Sequence, residues 1–187
     1  MYRTIKKLLL LSSVVSLLFA ASFLHADKEQ TQWEVIDEDH GFISKRRKVA
    51  ESDIYAFRGE VLADVHISKI LSVFLDKSRR KDWVDMFGKQ EDIEVISGLN
   101  KIYWIRFNLP FFMSDRDYVL QLKGNIDVAS RQVTANIAST EHLKKPEQSC
   151  CIRAQAFGTF YRFRAQNDKT YVEVENLMNE LTPRRVN

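Results

Sequence analysis

The sequence predicts an α+β domain built on a curved antiparallel sheet, and three observations support this. Apolar and polar residues alternate with a period of two over most of the chain, as in strands with one buried face. Turn residues at 98–100 and 167–168 separate these segments. One stretch instead repeats its apolar residues every three or four positions and predicts an amphipathic helix, at Ile67, Ile70, Leu71, Phe74 and Leu75.

The predicted elements follow one another without a linker or an internal repeat, so we expect a single domain. The first strand pair covers residues 42–49 and 54–62. The helix follows with Asp64 as its N-cap, and a charged connection at 76–82 then leads to Trp83 and a second helical turn. Six further strands complete the sheet, at 93–97, 101–107, 116–123, 132–139, 151–163 and 170–178.

The amino terminus has the composition of a secretory signal peptide. Arg3, Lys6 and Lys7 precede an apolar run over residues 8–24, and Leu24-His25-Ala26 offers a cleavage site. Residues 1–26 are therefore predicted to be a signal peptide that exports the chain, to the periplasm of a Gram-negative bacterium. Left uncleaved, a run close to the ~18 residues that span a bilayer would instead anchor the chain in the membrane.

The charge balance argues against nucleic acid as a partner. The chain has 28 Lys and Arg against 25 Asp and Glu, and three of the 28 basic residues lie in the leader, which leaves 25 of each sign in residues 27–187. A neutral domain lacks the net basic face that binding to a phosphate backbone requires. The basic runs at 45–48 and 79–81 are typical of a solvated surface, and contact with anionic lipid headgroups is the alternative.

The sequence supports no metal, cofactor or catalytic site. Cys150 and Cys151 are the only cysteines, and we do not expect them to pair, because neighbouring side chains on a strand point to opposite faces. No second pair lies at metal-ligand spacing, so a zinc site is unsupported. His40, His66 and His142 form no recognisable catalytic arrangement.

Residues 103–119 are the most informative part of the chain. An aromatic strand leads into a Pro-Phe-Phe corner, and a Ser-Asp-Arg-Asp-Tyr turn starts the next strand. Alternation gives each strand one set of residues that we predict to face a cavity for an apolar ligand. These predicted ligand-binding residues are Tyr103, Ile105, Phe107, Arg116, Tyr118, Leu120 and Leu122.

Two parts of this segment have alternative interpretations. At the rim of an apolar cavity, Arg116 would hold a phosphate through paired, charge-assisted hydrogen bonds. The alternative, which we favour, is an ion pair with Asp115 or Asp117 that fixes the turn. The apolar corner at 109–113 is predicted to be a buried bend at the sheet edge; if exposed, it would enter a bilayer.

Several segments resemble one known family in their order and spacing. They are Trp33 with Asp-His-Gly-Phe-Ile at 39–43, Phe-Arg-Gly-Glu-Val at 57–61, the basic connection ending at Trp83, and Ser-Asp-Arg-Asp-Tyr-Val at 114–119. Together they resemble START (StAR-related lipid transfer) domains of the helix-grip superfamily, from about Trp33 to the C-terminus. Residues 103–119 are most similar to phosphatidylcholine-transfer-like members. The resemblance implies a sheet that grips a C-terminal helix, with a lipid or sterol between them and no chemical step.

The sequence departs from this family at its end. Few residues follow the last predicted strand at 170–178 before Asn187, so we expect domain 27–187 to be truncated and the gripping helix to be missing. The primary hypothesis is non-catalytic binding, and transfer between membranes, of a lipid or sterol-like ligand, with transient membrane contact. One alternative is a truncated module that binds a protein partner or itself through its open sheet face. Another is a helix-grip enzyme acting on an apolar small molecule. The oligomeric state stays open.

Overall fold

The computed structural model describes residues 32–49 and 55–177. The predicted signal peptide and the predicted loss of the gripping helix lie outside the described residues. Two short helices follow the third strand: α1 at Ile67–Leu75 and a 3-10 helix at Lys77–Asp82. The strands are β1 Glu34–Asp39, β2 Phe42–Lys48, β3 Tyr55–Ala63, β4 Phe87–Ser97, β5 Asn100–Phe107, β6 Arg116–Asp127, β7 Gln132–Ser139, β8 Ile152–Arg153, β9 Thr159–Gln166 and β10 Lys169–Leu177.

The strands form one curved sheet, which confirms the predicted fold class. Their order across the sheet is β1-β2-β3-β10-β9-β7-β6-β5-β4, and all of these pairings are antiparallel. The short strand β8 adds a parallel pairing at the start of β6. β3 and β10 are distant in sequence but adjacent in the sheet, where Val61 lies opposite Val172. This pairing places β9 and β10 near the middle of the sheet.

Helix α1 begins later than the sequence predicts. Its N-cap is His66 rather than Asp64, and Nδ1 of His66 accepts a hydrogen bond from the backbone N of Ser68 at 3.3 Å. Asp64 lies in the preceding turn, 3.5 Å from Nζ of Lys169. The helix therefore starts at the residue whose side chain reaches a free N–H group of the first turn.

The second helical turn lies before Trp83 and not after it. Asp76 caps the 3-10 helix, because its Oδ1 accepts hydrogen bonds from the backbone N of Ser78 at 2.8 Å and from Oγ of Ser78 at 2.7 Å. The charged connection predicted at 76–82 is thus itself helical. Within residues 32–49 and 55–177, no helix is long and apolar enough to cross a membrane.

Helix α1 packs on one face of the sheet, which we call the inner face. Phe74 is 6% exposed and is the residue of α1 within the buried core. Burying side chains of this kind contributes ~1.5–3 kcal/mol each, so the core fixes α1 against the sheet. Its other members come from β5, β6, β7 and β9: Tyr103, Ile105, Leu120, Leu122, Val133, Ala135, Ile137 and Phe163.

Three strand predictions need correction, and one is the strand predicted at 93–97, which is β4 at Phe87–Ser97. The sequence does not predict β1, because all six of its residues are exposed and no apolar alternation marks it. A turn with Gly41 at φ +81° joins it to β2. The single strand predicted at 151–163 is instead β8 and β9. Gly158 ends the irregular stretch between them at φ +157°, a backbone conformation open mainly to glycine.

Cys150 and Cys151 form a disulfide with each other, so the prediction that they do not pair is wrong. That prediction assumed a strand, in which neighbouring side chains diverge. The two residues lie instead in a turn that ends just before β8. There the alternation of a strand does not apply, and the two sulfur atoms can meet.

Candidate ligand cavity

A cavity of about 770 Å³ lies between α1 and the inner face of the sheet. Its wall is largely apolar, and Lys69 and Arg79 are its only cations among the described residues. This volume lies in the range of small-molecule and cofactor sites. The lining residues are Val65, Lys69, Ile70, Ser72, Val73, Phe74, Arg79, Trp83, Tyr161, Phe163, Val172 and Val174.

The register of β9 and β10 builds the sheet side of this wall. Tyr161 lies opposite Val174, and Phe163 lies opposite Val172. Because alternate residues of a strand point to the same face, these four side chains all meet the cavity. Two central strands therefore give the cavity a continuous apolar floor.

Helix α1 supplies the opposite side. Ile70, Val73 and Phe74 are spaced by three and four residues and thus share one face of the helix. The ring centroid of Phe74 lies 4.9 Å from that of Tyr161 and 5.1 Å from that of Phe163. These aromatic contacts join the helix to the floor of the cavity.

Arg80 of the 3-10 helix is buried beside this wall, and no carboxylate of the described residues pairs with it. It is 5% exposed, and its Cζ lies 4.6 Å from the ring centroid of Trp83 and 5.8 Å from that of Phe74. Its Nε has no hydrogen-bond partner within residues 32–49 and 55–177. The ion pairs of the 3-10 helix in the described structure use Lys77 and Arg79 instead. A buried guanidinium with no counter-charge is costly, so this position favours an incoming anionic group.

Two tyrosines near Arg80 remain neutral. Burial raises the pKa of Tyr103 and of Tyr161, and the positive charge of Arg80 offsets this only in part. A phenol with a raised pKa is not a base at neutral pH. The two hydroxyl groups can therefore donate or accept hydrogen bonds, but they are poorly suited to remove a proton.

None of the three histidines in the described residues lines the cavity. His66 caps α1, and its imidazole is exposed. His40 contacts Asp39 at 2.5 Å in the exposed turn between β1 and β2. Nε2 of His142 lies 3.6 Å from the carboxylate of Glu94, away from the lining residues. The cavity wall thus contains none of the three histidines that the sequence offers for acid–base chemistry.

The structure places the seven predicted ligand residues beside the cavity rather than on its wall. Phe107 and Tyr118 pack edge to face, with ring centroids 5.6 Å apart, against the margin of the core. None of the seven belongs to the lining residues. Their role as ligand contacts stays a prediction. Four of them are buried core residues on the inner face: Tyr103, Ile105, Leu120 and Leu122.

Arg116 forms neither of the ion pairs that we favoured from the sequence. Its guanidinium donates a 2.8 Å hydrogen bond to the backbone carbonyl two residues earlier. Asp117 is paired with Arg153 instead, at 2.9 Å, and Asp115 lies 3.8 Å from Nε of Arg106. The aspartates next to Arg116 therefore pair with other arginines. Phosphate binding by Arg116 stays a prediction.

The apolar corner at 109–113 is exposed, so the prediction of a buried bend is wrong. Phe111 is 100% exposed and Phe112 is 73% exposed, with their rings edge to face at 5.6 Å. The backbone N of Met113 donates to the carbonyl of Pro110 at 2.8 Å and closes a turn. The corner extends beyond the ends of β5 and β6, where no layer of the described structure covers it.

Sequence reasoning also missed Arg80 and interpreted the whole run at 79–81 as solvated. Arg79 and Lys81 are indeed exposed. In a 3-10 helix, residues three apart eclipse each other, and Arg80 lies three residues before Trp83. This spacing of three residues indicates that Arg80 stacks on Trp83 and is therefore buried.

Comparisons with known proteins agree with this architecture. Human StAR-related lipid transfer protein 5 aligns with a TM-score of 0.69 at 16% identity, over 92% of this chain and 86% of that chain. A STAR-related lipid transfer protein from Xanthomonas axonopodis (fragment 25–204) aligns with a TM-score of 0.67 at 16% identity, over 79% and 82% of the two chains. Human STARD10 gives 0.68 at 16% identity, over 86% and 67%.

A sequence search of curated proteins found no match. At the identities above, the similar structures establish the fold alone. The START domain family model, by contrast, matches residues 18–179, which is most of the sequence. On this match, the chain belongs to the START domain family.

Proposed function

We propose that this chain binds a lipid-class ligand in the cavity between α1 and β9–β10, without changing it chemically. The observation that carries the proposal is the apolar cavity of about 770 Å³. The similar solved structures are named as lipid transfer proteins, which supports the same reading. Each buried methylene contributes ~0.8 kcal/mol, so an acyl chain or sterol body would gain affinity with few polar contacts.

Arg80 supports a ligand that carries an anionic head, such as a phospholipid. Its guanidinium is buried, and its Nε finds no hydrogen-bond partner in the described part of the chain. A phosphate would form charge-assisted hydrogen bonds with it and would offset the cost of burying an isolated charge. Because Arg80 stacks on Trp83 and Phe74, two lining residues, the head would lie at the side of the cavity nearest the 3-10 helix.

The surroundings of the cavity favour binding over catalysis. An acid–base enzyme needs a group that titrates near neutral pH and reaches the substrate. Burial raises the pKa of Tyr161, the tyrosine on the cavity wall. The described lining residues include no histidine or carboxylate. These features support a cavity that shelters a ligand.

The exposed corner supports transfer of the ligand between membranes. Phe111 and Phe112 present two aromatic rings to solvent beyond the end of the sheet, and inserting each into a bilayer would contribute ~1.5–3 kcal/mol. The backbone N of Asn108 donates to the carbonyl of Met86 at 2.8 Å. This bond ties the base of the corner to the segment that follows Trp83, a residue of the cavity wall.

Loading with lipid tests the binding proposal. The purified chain is incubated with phosphatidylcholine vesicles, repurified, and examined by native mass spectrometry and organic extraction. We expect one bound lipid, and we expect Val172→Phe to lose it because the larger side chain fills the cavity. Val128→Phe, at an 81% exposed turn position, is the matched control and should retain the lipid. Unchanged retention in Val172→Phe, or no lipid bound by the unsubstituted chain, would contradict the proposal.

Export is a further part of this proposal, and it rests on the composition of residues 1–26. A charged start, an apolar run and Leu24-His25-Ala26 are the features on which a signal peptidase acts. N-terminal sequencing of the mature chain tests it. Cleavage within the segment from Ala21 to Ala26 would support export. A chain that begins at Met1 in the cytosolic fraction would contradict it.

A further inference from the structure

The disulfide between Cys150 and Cys151 contributes little to the stability of the fold. A disulfide stabilises a protein mainly by restricting the unfolded chain, and the effect grows with the number of residues in the closed loop. Here the bonded residues are adjacent in sequence, which is the shortest loop possible. Cys150 is exposed to solvent and Cys151 is half-buried. The pair thus combines a small contribution to stability with access for other thiols.

The pair belongs to a long surface loop, residues 140–155, which we call the strap. The strap leaves the sheet after β7 and returns before β9, and its two ends meet. The backbone N of Ser139 donates to the carbonyl of Ala156 at 3.0 Å, and the backbone N of Ala156 donates to Oγ of Ser139 at 2.8 Å. Such a closed loop can change its own order while the strands on either side stay paired.

The residues directly after the disulfide fasten the strap to β6. Ile152 donates its backbone N–H to the carbonyl of Asp115 at 2.9 Å, and Ala154 donates to the carbonyl of Asp117 at 2.9 Å. Between them, Arg153 donates to both carboxylate oxygens of Asp117, at 3.0 and 2.9 Å. The conformation of the two cysteines therefore sets the direction in which the chain enters the contacts that Ile152, Arg153 and Ala154 make with Asp115 and Asp117.

The same attachment reaches the corner at 109–113. Oδ1 of Asp115 accepts a hydrogen bond from the backbone N of Leu109 at 3.1 Å. The carbonyl of Asp115 accepts the bond from Ile152. One residue thus joins the strap to the base of the exposed corner.

We propose that Cys150–Cys151 is a thiol–disulfide exchange site whose redox state controls the order of the strap. A dithiol reductant attacks Sγ of Cys150, the exposed residue of the pair, as a thiolate, and the electron pair of the broken S–S bond passes to Sγ of Cys151, which takes up a proton. The second thiolate of the reductant then displaces Cys150 from the mixed disulfide, and this sulfur also takes up a proton. Two electrons enter the chain, and the reductant leaves as its own disulfide. This proposal does not depend on a lipid in the cavity.

Hydrogen exchange measured by mass spectrometry on the purified full chain tests this proposal. The oxidised chain is compared with the chain reduced by dithiothreitol, and alkylation reports the state of both cysteines. We expect amides of residues 141–154 to exchange about fivefold to tenfold faster after reduction. Peptides of β9 and β10 should be unchanged. Equal exchange in the two forms, or a pair that native-state reduction cannot open, would overturn the proposal.

The double variant Cys150→Ser with Cys151→Ser serves as the control for nonspecific effects of the reductant. It should exchange in the strap like the reduced chain and should not respond to dithiothreitol. A response of equal size in this variant would mean that the reductant acts elsewhere and would also overturn the proposal. The comparison of oxidised and reduced unsubstituted chain stands by itself if the variant does not fold.

Discussion

Nε1 of Trp104 donates a 2.7 Å hydrogen bond to Oδ2 of Asp117, whose side chain is fully buried on the outer face of the sheet. Arg153 pairs with the same carboxylate. Nζ of Lys145 lies 4.5 Å from the ring centroid of Trp104, and a contact from Lys145 lowers the pKa of Glu91 to about 2. The strap therefore covers the outer face of β5 and β6, while their inner faces form the core beside the cavity.

Replacing Asp117 with Asn should destabilise the protein strongly at neutral pH. Burial alone would raise the pKa of Asp117, but the hydrogen bonds from Arg153 and Trp104 outweigh it and hold the pKa below its usual value. The variant leaves Arg153 without its counter-charge, which costs ~3 kcal/mol. Chemical denaturation at pH 7 measures the loss. The exposed Asp85→Asn is the control and should change stability by less than ~0.5 kcal/mol.

The difference in stability between the unsubstituted chain and Asp117→Asn should depend on pH. A carboxyl group with a depressed pKa in the folded state stabilises the fold above its unfolded pKa of about 3.9 and loses this contribution as the pH falls through the folded pKa. The difference in stability between the unsubstituted chain and Asp117→Asn should therefore be full at pH 6–7 and should shrink below about pH 4. A difference that grows on acidification would contradict the assigned charge state.

Gly124→Ala should destabilise the sheet by ~1–3 kcal/mol, because overpacking forces its neighbours to move. A Cβ at this position would lie 2.9 Å from Cβ of Leu99 and 3.0 Å from the carbonyl oxygen of Thr134. Thermal or urea unfolding measures the effect. At Gly98 the nearest atom to a new Cβ is a Leu75 methyl at 3.9 Å, so Gly98→Ala is the matched control. Equal effects of the two changes would refute the packing described here.

Arg80→Met should separate ligand affinity from stability. Removing a buried charge that pairs with no carboxylate of the described structure should leave the ligand-free protein as stable as before or more so. Affinity for a phospholipid should fall about tenfold to a hundredfold through the lost charge-assisted bonds, while affinity for an uncharged sterol should hold. Lys81→Met changes an exposed neighbour and should affect neither. Calorimetry with both ligands, together with melting curves, distinguishes these outcomes. An equal loss for phospholipid and sterol would argue against a headgroup role.

Replacing Phe111 and Phe112 with Ser should weaken binding to vesicles about tenfold or more, because two exposed rings no longer enter the bilayer. The melting temperature should not change, since both rings are largely exposed in the fold. Co-sedimentation with phosphatidylcholine vesicles measures the binding. Val128→Ser removes an exposed apolar side chain at the opposite end of β6 and should bind as the unsubstituted chain does. Undiminished binding by the double serine variant would exclude the corner as the membrane contact.

The sheet could be predicted where one face is buried. β7 occupies the predicted residues 132–139, and β5 differs from its prediction by one residue, because alternating side chains of both strands enter the core. β1 carries no such pattern, since its residues are all exposed. The disulfide and the strap also escaped prediction, because their geometry depends on turns whose side chains follow no period.

The site was less predictable than the fold. Alternation placed Tyr103 and Leu122 on the inner face correctly, but it could not show which inner residues touch the helix and which leave a gap. That distinction depends on how far α1 stands from β9 and β10, a property of tertiary packing. Val172 and Val174 read in the sequence as ordinary strand residues, although they form part of the cavity floor. Binding of a protein partner through an open sheet face stays a prediction.

Photo-crosslinking with a phosphatidylcholine that carries a diazirine on its acyl chain tests whether the acyl chain lies in the cavity. After loading, illumination and digestion, mass spectrometry locates the labelled residues. We expect labels on the wall of the cavity, at Phe74, Trp83, Tyr161, Phe163 and Val172, and we expect Val172→Phe to lose them. Labels confined to Phe111 and Phe112, or labelling of the wall that persists in Val172→Phe, would contradict the claim that the cavity holds the acyl chain.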